Sequence, residues 1–343
     1  MGDQNLANKR FAHAALSDLA RATPGTLMQR LEHAYHPDAE WRGSHPLNEM
    51  RGLDAIAATV WRPLLAAFPD LERRDSILIG GSYEGAEFVG AMGHYCGTFT
   101  RSWLGIPATG RPIWIRYGEM HRMRAGKIDQ SSVLIDVLDV IRQAGFWPVA
   151  PSLGTEGMWP GPITGNGIVL HETNPAEGAA NLAQMRDMQN KLGLADYEAM
   201  GRATYFEPHQ VEHWHPQMMW YGPSGIGSTR GVAGFVDWHR IPWRDSFRNI
   251  KGGQHYVRIG DGPFSATGGW PSITTEHSGG DFMGIPPTGR AITCRVMDFY
   301  AHHEGLIREN WVLVDLLHVY RQIGVDVLAR MREFNKARRG IVA

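Results

Sequence analysis

Two carboxylates lie close to a predicted strand hairpin near the carboxyl end of the chain. The dipeptide Glu304-Gly305 suits a two-residue turn, which would pair residue 303 with residue 306. Because side chains alternate between the faces of a strand, this register places Asp298 and Asp315 on one face. They would lie roughly 13 Å apart along the strands, too far to share a proton. Such a pair predicts a general acid and a general base at opposite ends of a small-molecule cavity.

The same register predicts which side chains surround these acids. Trp311, Leu313 and Asp315 would share a face with Val296, Asp298 and Tyr300. An equivalent hairpin lies earlier in the chain, with its turn at Ala125-Gly126. The corresponding face of that hairpin would carry Glu119, His121, Ser132, Leu134 and Asp136.

The two hairpins belong to a tandem repeat. The segment from Trp103 to Arg111 returns as the segment from Phe282 to Arg290, 179 positions later. The same offset gives 28 identities over the 110 positions from residue 36 to residue 145, without a gap. The sequence therefore predicts one domain at 1–150, a Pro/Gly-rich linker at 151–170, a second domain at 171–335 and a basic tail at 336–343.

Each repeat orders its elements in the same way. Helical segments come first and four strand-like stretches follow. Helices followed by strands, without β-α-β alternation, predict an α+β fold with a mainly antiparallel sheet. A sheet of this kind curls around a helix and leaves a concave face where a small molecule can bind.

Composition and charge disfavour several classes of protein. Hydrophobic residues make up 43% and charged residues 20%, which is typical of globular chains. A net charge of −1 argues against a nucleic-acid-binding or membrane-binding surface. The two cysteines, Cys96 and Cys294, lie in apolar stretches and are interpreted as buried thiols in a reducing compartment. We therefore expect a cytoplasmic protein whose partner is a small-molecule substrate, with no nucleic acid and no membrane.

These motifs resemble the SnoaL-like branch of the nuclear transport factor 2 (NTF2)-like fold, which is named for polyketide cyclases. That branch carries Gly-Ile-Pro-Pro-Thr-Gly-Arg before a strand hairpin, here Gly284 to Arg290. An aspartate on the last strand, here Asp315, is followed by Leu-Leu and then by Gln-x-Gly. The second repeat also contains a family-like segment around His277, whereas the first repeat matches less closely. The resemblance implies two tandem cone-shaped barrels, each a curved sheet wrapped on helices, that form an internal pseudo-dimer.

The resemblance also implies a chemistry. In these cyclases the last-strand aspartate moves a proton beside a carbonyl, and no metal or organic cofactor is needed. This role falls on Asp315 and on its repeat partner Asp136, with His277 polarising the carbonyl. Asp298 and Glu119 are the further candidates for acid–base catalysis. The candidate substrate contacts are Trp311, Trp220, Tyr300, Tyr221, His121, His94 and Trp41.

Structural roles compete for several of these residues. Asp315 also stands where it would cap a helix beginning at Leu316. Glu119 and Asp298 are alternatively placed to pair with Arg116 and Arg295, and the tryptophans equally suit a core.

A metal site is disfavoured. His209, His213 and His215 have spacing that zinc ligands use, but the first repeat offers only His33 and His36 at the equivalent places. We expect no metal.

Together these features predict a cofactor-independent lyase, isomerase or aldol-type cyclase that acts on a polyketide-like or sugar-derived molecule. A hydrolase that uses an aspartate to activate water on an epoxide, lactone or glycosidic bond is the first alternative. A non-catalytic binding module is the second. Because the repeats differ at the candidate positions, we expect their pockets to be inequivalent, in a monomer with an internal pseudo-dimer or in a homodimer.

Overall fold

The computed structural model describes residues 2–193 and 201–342, which divide into two compact units. The first unit comprises Met1–Pro148, Thr164–Glu172 and Asp326–Ala343, and the second comprises Val149–Ile163 and Thr173–Val325. The Pro/Gly-rich segment after the first repeat is thus divided between the units. The basic carboxyl-terminal segment belongs, up to residue 342, to the last helix, which is part of the first unit.

In the first unit two helices precede the first strand, and a further helical stretch lies between the second and third strands. Its helices are α1 (Gly2–Leu19), α2 (Leu27–Ala34), α3 (Leu53–Ile56), α4 (Arg62–Ala67) and α5 (Val137–Gln143), with a π-helical segment at Ala57–Trp61. Its strands are β1 (Tyr35–Gly43), β2 (Glu49–Arg51), β3 (Glu72–Tyr83), β4 (Ala86–Thr98), β5 (Pro112–Arg124) and β6 (Lys127–Ile135). The amphipathic spacing of Leu27, Leu31 and Ala34 explains how α2 buries one face against this unit.

The second unit repeats this order. Its helices are α6 (Pro175–Gly193), α7 (Pro208–Val211), α8 (Gly231–Phe235), α9 (Ile241–Ser246) and α10 (Leu316–Gln322), with a 3₁₀ segment at Arg202–Phe206 and a π-helical segment at Val236–Arg240. Its strands are β7 (Trp214–Tyr221), β8 (Thr229–Arg230), β9 (Arg248–Gly252), β10 (His255–Asp261), β11 (Phe264–His277), β12 (Arg290–His303) and β13 (Leu306–Val314). The last helix, α11 (Val327–Val342), belongs to the first unit. No described helix is long and apolar enough to cross a membrane.

Each unit contains one mixed sheet, which confirms the predicted α+β class. The strand orders are β2-β1-β6-β5-β4-β3 and β10-β11-β12-β13-β7-β8, with β9 also paired to β11. Among the strands that the structure describes, only β1–β6 and β7–β13 pair in parallel, so both sheets are mainly antiparallel. The sheets are open and are not closed barrels. Closure requires edge strands long enough to pair, whereas β2 has three residues and β8 has two.

The predicted hairpin turns are present, but the register predicted from them is wrong. Ala125-Gly126 and Glu304-Gly305 both have positive φ, as a type I′ turn requires. Beyond each turn a β-bulge adds one residue to the second strand, Asp129 in β6 and Arg308 in β13. Asp298 therefore lies opposite Val312 rather than Trp311.

The shift exchanges the faces of the last strand. Because a one-residue slip reverses every side chain, Asn310, Val312 and Val314 share the face of Asp298 and Tyr300. Trp311 and Asp315, which were expected on that face, lie on the other side. The first unit shows the same correction: Ser131 and Val133, rather than Ser132 and Leu134, share a face with Glu119 and His121.

Candidate active site

The second unit encloses a cavity of about 310 Å³ between its sheet and its helices, which we call the inner cavity. Strands β12 and β13 provide its polar wall, with Asp298, Tyr300 and Asn310 side by side. Aromatic side chains provide much of the rest. The aromatic residues on its wall, besides Tyr300, are Trp214, Trp220, Phe235, His239, Trp243 and His255. A small polar wall facing an aromatic chamber is the usual composition of a small-molecule site.

Asp298 is the acid of the inner cavity, and its pKa is strongly raised. Burial of the carboxyl raises this pKa from 3.8 to about 7, because a charged group loses water there. Hydrogen bonds with Tyr300 and Asn310 lower the pKa, but burial outweighs them. The Tyr300 hydroxyl also accepts a hydrogen bond from Gln189 Nε2 at 3.4 Å, and Asn310 Nδ2 donates to the Phe299 carbonyl at 3.1 Å. Asp298 is therefore partly protonated near neutral pH.

Two histidines of the inner cavity are neutral at physiological pH. Burial, assisted by the charge of Arg258, lowers the pKa of His255 to about 4, and its Nε2 lies 3.4 Å from Ser272 Oγ. Burial lowers the pKa of His239 to about 3, and its ring stacks on Trp220 with 4.2 Å between centroids. His239 lies on the π-helical segment, a distortion that often marks functional sites. Neutral imidazoles can donate to or accept from a bound polar group.

The equivalent carboxyl of the first unit is held in an ion-pair network. Glu119 lies 2.6 Å from Arg73 Nη1, 2.8 Å from the Tyr95 hydroxyl and 3.1 Å from His121 Nε2. Arg73 also lies 2.8 Å from Asp75. Burial raises the pKa of Glu119, but Arg73 and His121 lower it more, to about 2. This carboxyl is therefore charged near neutral pH, and its oxygens contact Arg73, Tyr95 and His121.

A single change between the repeats removes the cation. Arg73 pairs with Tyr95, which pairs with Ile115 on the next strand. Gly252, 179 positions after Arg73, pairs with Ile273, which pairs with Cys294, 179 positions after Ile115. Gly252 lines the inner cavity, and a Cβ added there would meet no atom within 4 Å. The position that holds a buried guanidinium in the first unit is thus open space in the second.

Asp136 and Asp315 cap helices in both units. Asp315 Oδ1 accepts from the His318 amide at 3.2 Å, and Asp315 Oδ2 lies 3.2 Å from Arg295. Asp136 makes the same two contacts, with the Asp139 amide at 3.1 Å and with Arg116 at 3.2 Å. Arg116 and Arg295 thus pair with these aspartates rather than with Glu119 and Asp298. Neither Asp136 nor Asp315 is part of the inner-cavity wall.

Of the remaining residues predicted from the sequence, some line the inner cavity and others lie elsewhere. Trp220 lines the inner cavity with Asp298 and Tyr300. His277 is fully buried against Phe247, outside this wall, with Nδ1 3.2 Å from Thr288 Oγ1.

Trp311 and Tyr221 lie on the opposite face of the sheet, where their rings stack with 5.3 Å between centroids. In the first unit, His121 belongs to the Glu119 network and Trp41 is buried. His94 packs edge-on against Trp114 at 5.4 Å.

Sequence reasoning missed His239, His255, Asn310 and Gln189. Asn310 was missed because the sequence gives no sign of the bulge at Arg308. The one-residue shift in register that this bulge causes turns Asn310 toward the cavity. The change from Arg73 to Gly252 was visible in the repeat alignment and would have indicated an opened pocket. The helical positions of Gln189 and His239 carried no comparable signal.

One cluster of potential metal ligands lies away from the inner cavity. Asp187, Glu212 and His213 bring ligand atoms within 4.8 Å of one another. The ammonium of Lys191 already lies 2.7 Å from Asp187 and 2.5 Å from Glu212. The lysine therefore supplies the positive charge that a metal ion would bring, and the cluster is an ion-pair network.

The chain is similar to several solved structures. IdmH, a putative polyketide cyclase from Streptomyces antibioticus, is 20% identical, with a TM-score of 0.34, over 40% of this chain and 99% of that one. A putative SnoaL-like polyketide cyclase from Jannaschia sp. CCS1 is 16% identical, with a TM-score of 0.36, over 45% and 98%. An NTF2-like protein from Burkholderia thailandensis E264 is 26% identical, with a TM-score of 0.31, over 42% and 98%. No curated protein matches the sequence.

The family comparison agrees with the motifs and with the two α+β units. The family described as SnoaL-like polyketide cyclase matches residues 18–144 and 271–323, together more than half of the chain. Both segments include the central hairpin strands of a sheet, β5 with β6 in the first unit and β12 with β13 in the second. This family is associated in general with cyclase or isomerase types of function. The chain belongs to the SnoaL-like polyketide cyclase family.

Proposed function

We propose that the second unit is a cofactor-independent acid–base enzyme, a lyase, isomerase or aldol-type cyclase, with Asp298 as its proton-transfer group. The observation that carries this proposal is a half-buried carboxyl on the wall of an aromatic cavity, with a pKa of about 7. A general acid or base works best when its pKa lies near the ambient pH, because both protonation states are then populated.

The reaction begins with removal of a proton from a carbon beside a carbonyl. The Asp298 carboxylate takes this proton, and the C–H electron pair forms the enolate C=C bond while the carbonyl oxygen gains negative charge. The hydrogen-bond donors that line the same cavity include the Asn310 amide, the Tyr300 hydroxyl and neutral His255. The enolate carbon then attacks a second carbonyl or regains a proton at another position. Protonated Asp298 returns its proton, so atoms and charge balance.

The cavity favours a compact, partly flat substrate. Its volume of about 310 Å³ equals that of roughly ten water molecules and lies at the lower end of ordinary ligand sites. Trp220 and His239 form one stacked pair on its wall, and Trp243 lies along the same helical stretch. Rings of a polyketide-like molecule, or the C–H faces of a sugar-derived one, suit such walls.

The first unit acts as a scaffold in this proposal. Arg73, Glu119 and Asp75 occupy its interior with paired charges, and Tyr117 donates to Asp75. Because every acid there has a cation partner, none is poised to exchange protons near neutral pH. The two pockets are therefore expected to be inequivalent.

The test is an incubation of the full chain with a bacterial metabolite extract in D₂O, analysed by chromatography and mass spectrometry. We expect wild type to consume a compound and form an isomer, or a product lacking water, that carries solvent deuterium on carbon. Asp298→Asn should abolish this conversion, and Asp54→Asn, which alters an exposed acid of the first unit, should retain it.

Other outcomes reject the proposal. Conversion by Asp298→Asn at the wild-type rate would remove Asp298 from the chemistry. A product that gains the mass of water would identify a hydrolase. A compound retained unchanged by both proteins would identify a binding module.

A further inference from the structure

A second and larger cavity lies on the other face of the same strands. It measures about 820 Å³ and belongs entirely to the second unit, and we call it the outer groove. Its walls are the segment from Leu153 to Ile163 and the outward side chains of β7, β8 and β13. Trp220 and Asn310 face the inner cavity, whereas their chain neighbours Tyr221 and Glu309 face the outer groove. The two cavities are therefore separate sites that share one sheet.

The outer groove combines apolar surface with two arginine side chains, Arg230 and Arg308. Trp238, Met158 and Ile163 line it and are 51%, 40% and 71% exposed, a high exposure for large apolar side chains. Arg308 donates to the Gln217 carbonyl, and Arg230 Nη1 lies 3.8 Å from Met219 Sδ. Across the described ranges, no carboxylate lies within ion-pair distance of either guanidinium.

The acid inside the groove, Glu309, already accepts hydrogen bonds from other groups of the protein. Glu309 is 3% exposed and accepts hydrogen bonds from the Ile163 amide at 2.9 Å and from the Tyr221 hydroxyl at 3.3 Å. Burial raises the pKa of Glu309 and so weakens its negative charge, although these hydrogen bonds and the charge of Arg308 lower the pKa in part. Both arginines therefore remain available to a ligand. Thr229 also lines the groove, is 7% exposed, and its hydroxyl has no hydrogen-bond partner among the described residues. An unpartnered buried hydroxyl indicates a missing polar group.

The first repeat shows that this surface is specific to the second unit. Met219, Tyr221 and Trp311 correspond to Glu40, Arg42 and Ser132, 179 positions earlier. There, Arg42 Nε donates to Ser132 Oγ at 2.7 Å and Glu40 accepts from Gln130 at 3.0 Å. The polar pairs on this face of the first unit's sheet are thus replaced by largely apolar side chains on the same face of the second unit's sheet.

We propose that the outer groove binds an aromatic organic anion, such as an aromatic carboxylate or sulfonate. The ring system would pack on Trp238 and on the thioethers of Met158 and Met219, which favour aromatic contacts. The anionic group would take charge-assisted hydrogen bonds from Arg230 and Arg308, and the Thr229 hydroxyl would complete its coordination. This site is independent of the proton transfer at Asp298.

The test uses 8-anilinonaphthalene-1-sulfonate as the probe and its emission as the readout. We expect saturable binding to the full chain, weakened at least tenfold in the Arg230→Gln/Arg308→Gln double variant. Arg51→Gln, which alters the repeat counterpart of Arg230, should bind as wild type does. Uncharged N-phenyl-1-naphthylamine should bind the double variant and wild type within twofold of each other.

Three results would overturn the proposal. The first is equal sulfonate binding by wild type and the double variant. The second is loss of sulfonate binding in Gly252→Arg. Gly252 lines the inner cavity and not the outer groove, so such a loss would place the probe in the inner cavity. The third is a concentration-dependent dimer in sedimentation that Trp238→Ala dissociates, which would make the groove a contact between copies of the chain.

Discussion

The guanidinium of Arg73 and the carboxylate of Glu119 form a buried ion pair, with 2.6 Å between Nη1 and Oε2. At the corresponding positions of the second repeat, the acid remains as Asp298 and the cation is replaced by Gly252. The pKa of the acid is about 2 in the first case and about 7 in the second. We therefore propose that one sheet position carries a structural charge in the first unit and a proton-transfer group in the second.

Asp298→Asn is expected to stabilise the second unit at alkaline pH. The folded-state pKa of Asp298 is raised above 3.8 to about 7, so its contribution to stability is full at low pH and is lost as the pH rises to 7. Ionisation in the folded state then costs up to about 4 kcal/mol, which the amide avoids.

Hydrogen exchange of second-unit peptides, measured under denaturant, gives the free energy of unfolding. The variant should exceed wild type at about pH 8, and the difference should shrink by about 2–3 kcal/mol at about pH 5. A difference that does not vary with pH would contradict the assigned pKa.

Glu119→Gln is expected to destabilise the first unit by about 3–5 kcal/mol, because Arg73 is left buried with less negative charge around it. The folded-state pKa of Glu119 is lowered from 4.5 to about 2, so its stabilising effect is present above pH 4.5 and disappears as the pH falls toward 2. Hydrogen exchange of peptides from β5 and β6 measures the loss. The exposed control Glu32→Gln should change stability by less than about 0.5 kcal/mol, and an equal effect of both substitutions would refute the role of the network.

Substitutions of Asp315 are expected to alter stability rather than chemistry. Alanine removes both the helix cap and the pair with Arg295, whereas asparagine retains the cap, so Asp315→Ala should be less stable than Asp315→Asn by about 1 kcal/mol. Asp136→Ala and Asp136→Asn should show the same order, since Asp136 makes the same contacts. If Asp315→Asn folds normally but converts no metabolite, the catalytic role belongs to Asp315 after all.

Much of the fold could be read from the sequence. The repeat at 179 positions, the helix-then-strand order and the Ala125-Gly126 and Glu304-Gly305 turns predicted two α+β units with hairpins in the right places. These signals are local or periodic, so each can be recognised without knowing the packing.

Which residues form the candidate site was harder to predict than the fold. The bulges at Asp129 and Arg308 carry no residue signature, yet each reverses the faces of a strand. The bulge at Arg308 places Asn310 and Val312, rather than Trp311, on the face of Asp298. The helix cap at Asp315 is local and could be predicted, whereas its ion pair with Arg295 depends on tertiary geometry. The changes from Arg73 to Gly252 and from His121 to Tyr300 are visible in the repeat alignment, but the open space beside Gly252 is seen only when the strands are packed.

The most direct measurement of the central claim is the pKa of the Asp298 carboxyl, followed by ¹³C NMR titration and assigned by the loss of its signal in Asp298→Asn. We expect a value near 7 in wild type and in Gly252→Ala, because the added methyl group enters open space. In Gly252→Arg, which restores the cation of the first repeat, the pKa should fall by at least two units. A wild-type pKa near 4, or a value unchanged by the arginine, would contradict the claim that loss of this cation prepares Asp298 for proton transfer.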